Sequence, residues 1–562
     1  MTEYISITDL CNISYNNRSF NVFCKFHGDN LQRKYNCKKQ TEKCIYDTQQ
    51  MLMNKGINFE DNVCKYLKNK FPNIKIEEFN YKDGSTEEGR QKMRFRMIDY
   101  IRQQRPIIFQ AYLWDTDLKI HGYADLILRN DIIIQLFDNS NLPDNFQKLH
   151  REAVLKGKYF YVLIDVKCKN VKVGNFDNFL IRDIKSKHED YCFQVTAYYD
   201  MLKKITDKDL LIPEFSCILG RKVCIDRTPT ETDSCFKAMA FISHSGKNYN
   251  KLANKLKQNV KICNDMKANG HKWDIRDKDF KQYMPKNDQD YYPFNNLKKR
   301  IINELNPYKE QSDDNKSFKN KLYIRKKYYK RLSNIQYTIN LDLEFLDSYH
   351  VDDFRNFPNI YGFSGLYMIG LTVYEGNVLF EKKQFIMKKL TQEEQYNVCK
   401  EFSDYIEKLT DNYKKSFIIL HWSHAEKTQF KTFMKEESKH KQLSFFNNFE
   451  IIEKNNFFDL MILFKGNKGL NIPEIPLPKK PGYSIKTVLK LCKKYGLTKL
   501  DWEDNEMDGK NTICAALMYY SDPIKYSVIM EMISRYNIID CDAMWELRNI
   551  LLKYTLINIH TE

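Results

Sequence analysis

The sequence predicts an α/β protein built from two successive domains, and three observations carry that expectation. The chain is 562 residues long, more than one hydrophobic core ordinarily spans. Two strongly apolar runs, Tyr-Val-Leu-Ile-Asp-Val-Lys-Cys-Lys at 161–169 and Ile-Asn-Leu-Asp-Leu-Glu-Phe at 339–345, read as strands, each with charged residues two apart, and a segment of helical period follows each. Between them, residues 247–331 hold 23 Lys and Arg against 10 Asp and Glu, a net of +13 within a chain total of +17. These landmarks divide the chain into an N-terminal extension (1–50), a first α/β domain (51–245), a basic connector (246–335) and a second α/β domain (336–562).

In the first domain, Gly56-Ile-Asn-Phe-Glu60 is read as opening a helix whose Phe59, Val63 and Leu67 form the apolar stripe, leaving Glu60 on another face. Asp125 follows in the strand-like His-Gly-Tyr-Ala-Asp-Leu-Ile-Leu. Side chains alternate along a strand, so Asp165 and Lys167 share one face while Val166 points to the opposite, buried one. A charge at the margin of an apolar strand loses hydration unless a partner or metal compensates it. With Asp125, the set can hold a divalent cation through two carboxylates and leave a lysine beside an attacking water. In Tyr-Cys-Phe-Gln-Val-Thr-Ala-Tyr-Tyr-Asp-Met-Leu, Gln194 and Tyr198 stack one helical turn apart.

In the second domain, Asp342 and Glu344 share a strand face, as a metal-binding pair requires. Near the end of the chain, Tyr536 and Asp540 lie one helical turn apart. Leu-His-Trp-Ser-His-Ala-Glu, ending at Glu426, follows the apolar run 417–420, and Phe-Phe-Asp-Leu surrounds Asp459. Ser484 is placed as an N-cap and Gly496 as the end of that helix.

The order of glutamate, aspartate, Asp-x-Lys and Gln-x-x-x-Tyr resembles the RecB-like branch of the PD-(D/E)XK nucleases over roughly residues 50–225. The resemblance implies a restriction-endonuclease-like fold in which Asp125 and Asp165 bind Mg2+ or Mn2+ beside Glu60. It also implies that Lys167 helps activate water and that Gln194 and Tyr198 contact DNA and steady the site. The later motifs resemble those of DnaQ-like, ribonuclease H-fold 3′-5′ exonucleases of the tyrosine type: D-x-E, a middle acid and Y-x-x-x-D. They are closer still to the YprB-type ribonuclease H-like domain, found fused behind a RecB-like domain in RecB family nucleases of viruses and bacteria, which implies an α/β fold with a mixed sheet. Such a site needs four carboxylates, because two divalent ions about 4 Å apart must flank the scissile phosphate. On this resemblance Asp342 bridges both ions, Glu344, Glu426 and Asp540 complete their shells, and Tyr536 orients the nucleophilic water. The middle acid, normally Asp, is here Glu426, and Asp459 competes for its place.

Composition narrows the remaining readings. There is no stretch of eighteen apolar residues and no basic-then-apolar leader pattern, so the expectation is a soluble, intracellular protein without a membrane partner, cytoplasmic or nuclear, or in a viral factory if the source is viral. The 15 cysteines are irregularly spaced and read as reduced thiols. Cys217, Cys224 and Cys235 lack the spacing expected of an iron-sulfur cluster, and Cys24, Cys37 and Cys44 near His27 match no standard zinc finger. No phosphate-binding G-x-x-x-x-G-K-[ST] loop occurs, so any helicase acts in trans. The connector interleaves aromatics with Arg325, Lys326, Lys327, Lys330 and Arg331, which suits a phosphate backbone with stacked bases. The expected partner is therefore nucleic acid, DNA before RNA. A scaffold with one or both sites inactive, and an RNA-directed nuclease, remain as alternatives.

Overall fold

The computed structural model describes residues 4–14, 19–27, 48–137, 142, 144–173, 189–206, 212–225, 228–229, 234–237, 239–270, 322, 324–347, 352–354, 356–465, 475, 483–502, 507 and 511–561. They form an α/β structure divided into two compact units, each with its own mixed sheet and hydrophobic core. The first unit holds the described residues within Met1–Glu42, Met53–Glu310 and Asp353–Ile360, the second those within Lys43–Leu52, Gln311–Asp352 and Tyr361–Glu562.

The strands of the first unit are β1 (Ile5–Ser6), β2 (Glu77–Glu78), β3 (Ile107–Asp115), β4 (Ile120–Arg129), β5 (Tyr161–Lys172), β6 (Phe215–Ile225), β7 (Thr228–Pro229) and β8 (Ala240–Ser243). Its labelled helices are α1 (Ile7–Ser14), α2 (Ser19–His27), α3 (Thr48–Lys70, of which the residues from Met53 on belong to this unit), α4 (Glu87–Arg102), α5 (Glu189–Ile205) and α6 (Gly246–Asn269). The sheet runs β2-β3-β4-β5-β6-β7, with β1 beside β4 and β8 beside β6. β-branched and aromatic residues dominate β3 and the first half of β5, as a half-buried or buried strand favours. β4 and β5 pair antiparallel from Arg129↔Tyr161 to Leu126↔Ile164. β5 and β6 pair parallel through Lys167↔Gly220, where the register shifts before Asn170. Such irregularities re-aim side chains, and this one directly follows Lys167.

Three expectations change here. Gly56 does not open its helix, because α3 runs through it from Thr48; a glycine inside a helix costs ~1 kcal/mol, less than the burial of Phe59, Val63 and Leu67 returns. The start of the connector, α6, is an amphipathic helix whose Leu252, Leu256, Val260, Cys263 and Met266 lie in the first unit's core. Within the stretch expected to be the second domain, Asp353–Ile360 joins the first unit, where Phe357 meets the rings of Phe59, Tyr66 and Phe236 at 5.9–6.0 Å. The N-terminal extension also contributes to this core through Ile5, Ile7 and Leu10.

The second unit has β9 (Tyr337–Leu346), β10 (Gly365–Glu375), β11 (Val378–Ile386), β12 (Phe417–His421) and β13 (Phe457–Asp459), in the order β11-β10-β9-β12-β13. The β11, β10 and β9 pairings are antiparallel, whereas β9, β12 and β13 run parallel. The labelled helices are α7 (Lys326–Leu332), α8 (Gln392–Leu409), α9 (Ala425–Glu436), α10 (Ile485–Lys494), α11 (Asn511–Ser521) and α12 (Ser527–Thr561). Alternation along the central β9 buries Ile339, Leu341 and Leu343 and gives Asp342 and Glu344 the other face. Ser484 caps α10 by accepting from Thr487 N–H at 3.2 Å, and Gly496 just beyond it adopts φ +68°. No described helix is long and apolar enough to cross a membrane.

Candidate active sites

In the first unit the sheet opens where the charged residues sit. Pairing of β4 with β5 stops short of Asp125 and Asp165, and the Asp125 carboxylate accepts the Val166 N–H at 2.8 Å. Lys167 follows on β5 and donates from Nζ to Oδ1 of Asp165 at 2.7 Å, with Oδ2 of Asp125 3.5 Å away. Asp165 is 1% exposed, and its Oδ2 has no hydrogen-bond partner. Burial pushes the Asp165 carboxyl up to about 7 against the pull of Lys167. Burial also works against the Lys167 charge, but Asp165 and Asp125 outweigh it and hold the ammonium well above its usual range.

Glu60 reaches the same cluster from α3. Its Oε2 accepts from Gln110 Nε2 at 3.2 Å, and burial, then the Asp125 charge, push its carboxyl up to about 8. Gln194 donates to the Tyr198 hydroxyl at 3.1 Å on α5; burial raises that hydroxyl, and the charges of Asp125, Asp165 and Lys167 act on it. Tyr198 fits because residue 122 is glycine: a Cβ there would stand 2.6 Å from Tyr198 Cε1.

In the second unit four carboxyls act on one another. Burial raises Asp342 well above the usual carboxylate range, and Asp540, Glu344 and Glu426 raise it further. Burial and Asp540 push Glu344 up to about 8. Burial pushes Asp540 up to about 7, with Lys486 opposing it. Three of the four have a neutral holder: Asn537 Nδ2 donates to Asp342 Oδ2 at 2.7 Å, Thr512 Oγ1 to Glu344 Oε2 at 3.2 Å, and Trp502 Nε1 to Asp540 Oδ1 at 3.0 Å. Burial, then Asp540, raise the Tyr536 hydroxyl, so it stays protonated. Lys486 lies over the Tyr536 ring at 4.4 Å and donates to the Met507 carbonyl at 2.6 Å.

Glu426 and Asp459 have different surroundings. Glu426, 5% exposed in the first turn of α9, acts on both Asp342 and Asp540. Asp459 Oδ1 accepts the Ser423 and Met461 N–H groups, both at 2.9 Å, and thereby holds a turn in which Ser423 takes φ +91°.

The basic run divides. Arg325, Lys326, Lys327, Lys330 and Arg331 are exposed, but Arg331 Nη2 donates to the Phe457 carbonyl at 3.0 Å with its guanidinium 5.3 Å from the Phe458 ring. α7 is anchored to the second unit by buried Leu332, whose carbonyl accepts from Arg548 at 2.7 Å and 3.1 Å. Among the thiols, Cys217 and Cys235 are buried. The side chains of Cys24 and Cys224, and Cys37 and Cys44 entirely, lie outside the described residues, as do 287–293 and 307–317. His27 meets the Met266 carbonyl at 2.6 Å.

Sequence reasoning missed Gln110, Asn537, Thr512, Trp502 and Lys486. Asn537 had a local signal, as a polar residue between Tyr536 and Asp540. The others reach their carboxylates from separate elements, so nothing in their own neighbourhoods marks them. Among the described residues no three His, Cys, Asp or Glu side chains are already gathered in metal-holding geometry. The donors are nevertheless all oxygens, the ligand type of hard divalent cations, and buried Asp165 Oδ2 and Glu426 Oε2 lack hydrogen bonds. No protein-family model matches the chain, and no curated protein sequence does.

Proposed function

We propose that the chain is a divalent-metal-dependent nuclease with two active sites. The first is RecB-like, of the PD-(D/E)XK type, and the second is ribonuclease H-like, of the YprB and DnaQ 3′-5′ exonuclease type. The preferred substrate is DNA, at ends or single strands, during repair, recombination or processing. One observation carries this reading: Asp342, Glu344 and Asp540 act on one another at the central strand of a mixed sheet, burial disfavours the charge of each of the three, and the Glu426 carboxylate bears on two of them. A stable fold has no use for such mutual repulsion. It suits a site made for cations.

In the first site Asp125, Asp165 and Glu60 would hold Mg2+ or Mn2+, and in the second Asp342, Glu344, Glu426 and Asp540 would hold two such ions. The bound ions would supply a nucleophilic water near neutral pH and neutralise charge on the phosphate. Lys167, tied to Asp165 at 2.7 Å, keeps its ammonium beside the water position and orients it. Gln194 and Tyr198, a hydrogen-bonded pair, would steady the site and contact the substrate. Tyr536 stays protonated beside Asp540 and would orient the attacking water. Arg325, Lys326, Lys327 and Lys330 contact phosphates without reading bases.

The test uses end-labelled single- and double-stranded DNA and RNA with Mg2+, Mn2+ or EDTA, comparing the native chain with Asp165→Ala, Asp342→Ala and the double variant. Each single variant should lose one product pattern and the double variant all cleavage. Cleavage in EDTA, or by the double variant, overturns the proposal, and cleavage of RNA alone moves the substrate class.

A further inference from the structure

His421 ends β12 with 0% exposure, and neither ring nitrogen has a hydrogen-bond partner. Its backbone is fixed, pairing with Asp459 across β12 and β13 and accepting the Leu460 N–H at 3.0 Å. Its ring leans on Phe457, with centroids 5.5 Å apart. Beside it is Glu426, whose Oε2 stands 3.3 Å from Nδ1 and is likewise buried without a hydrogen bond.

A buried polar atom left unpaired loses its hydration with nothing to replace it, and two of them are adjacent here. A small turn of the Glu426 carboxylate converts the contact into an N–H···O hydrogen bond. Only the tautomer with its proton on Nδ1 can make that bond, and it leaves Nε2 as a bare acceptor instead of an orphaned N–H. The glutamate has a rotatable chain, whereas the imidazole is locked by the strand and by Phe457. The histidine is therefore the fixed member and the carboxylate the one that is set.

We infer that His421 is a positioning residue for Glu426: it donates from Nδ1 to Oε2, sets the rotation of the carboxylate, and leaves Oε1 free for a divalent ion that this group of acids would hold. This rests on the nuclease reading of the second unit. Ligating carboxylates depend on such outer partners for orientation, and loss of one weakens metal binding ~10–100-fold.

The experiment titrates Mn2+ by calorimetry into the full chain carrying Asp125→Asn and Asp165→Asn, which silence the first site, with Asp342→Asn as the reference for specific binding. On this background His421→Phe should weaken Mn2+ binding about tenfold or more. His421→Asn puts an amide nitrogen near the Nδ1 position and should stay within about threefold of the parent, while His421→Gln puts it near Nε2 and should behave like Phe. Unchanged binding in His421→Phe, or equal binding in the Asn and Gln variants, overturns the inference and leaves the nuclease reading standing. A parent that binds no Mn2+ sensitive to Asp342→Asn overturns that reading and the inference with it. If thermal melts show the Phe variant unfolded, the comparison of Asn with Gln decides.

Discussion

Asn537 donates from Nδ2 to Oδ2 of Asp342 at 2.7 Å, and the room for it comes from Gly370, which pairs with Asp342 across β9 and β10. A Cβ built on Gly370 would stand 1.6 Å from Asn537 Oδ1. That oxygen accepts from Gln384 Nε2 at 3.2 Å, so the amide is oriented from both ends. The acid on which Asp540, Glu344 and Glu426 all act thus has its carboxylate held by a neutral donor on α12.

Removing that donor should impair chemistry more than folding. Asn537→Ala is expected to lower metal-dependent cleavage by the second site roughly 10–100-fold. Gly370→Ala displaces the same amide by overpacking and should also cost about 1–3 kcal/mol of stability in urea titrations. Native rates in Asn537→Ala would show that the contact does not position Asp342.

The raised carboxyls make stability pH-dependent with a definite sign. Burial and the Asp540 charge push the Glu344 carboxyl up to about 8 from an ordinary 4.5, so between those values this group binds more protons in the folded state than in the unfolded one. The Glu344 contribution to the stability of the ion-free protein then falls as pH rises through that window, and raised Asp165 and Asp540 act in the same sense. Urea midpoints in EDTA should decline across it, less steeply in Glu344→Gln, and Mg2+ should restore stability most at the alkaline end. A midpoint that climbs with pH in EDTA, or a slope that Glu344→Gln leaves unaltered, would contradict the burial of these charges.

Asp165→Ala and Lys167→Ala should each abolish cleavage by the first site, a loss of about 10²-fold or more, while leaving a folded protein. Because Lys167 lies 2.7 Å from Asp165, their effects on stability should be coupled. Lys167→Ala leaves Asp165 buried without its counter-ion, and the double variant should recover part of that loss. Full cleavage by both single variants would remove the first site from consideration.

Replacing Arg325, Lys326, Lys327 and Lys330 by Gln should flatten the plot of log affinity for nucleic acid against log salt by roughly 3 units, at 0.7–0.9 per phosphate contact. The rate at saturating substrate should hold. Arg331→Gln should instead lower stability, since its guanidinium is bonded to the Phe457 carbonyl. An unchanged slope in the fourfold variant would leave the run a solvated surface of α7.

Much of this was legible because local periodicity carries it. Alternation along β5 and β9 was enough to pair Asp165 with Lys167 and Asp342 with Glu344, and helical spacing was enough to pair Gln194 with Tyr198 and Tyr536 with Asp540. The basic character of α6 masked its apolar stripe, so a core helix read as connector.

The sequence by itself determined the two α/β units' principal strands, the carboxylates on them and the helices that answer them, since each depends on residues within one or two turns or a few strand positions. Only the tertiary structure decided what surrounds each acid. Gln110, Thr512, Trp502 and Asn537 reach Glu60, Glu344, Asp540 and Asp342 across separations of 50, 168, 38 and 195 residues. The contrast between Glu426 and Asp459 likewise depends on a turn at Ser423 that engages one acid with backbone N–H groups and leaves the other beside His421. Such partners are chosen by packing in three dimensions, where close approach depends on a missing Cβ at Gly122 or Gly370, and no local period in the chain encodes it.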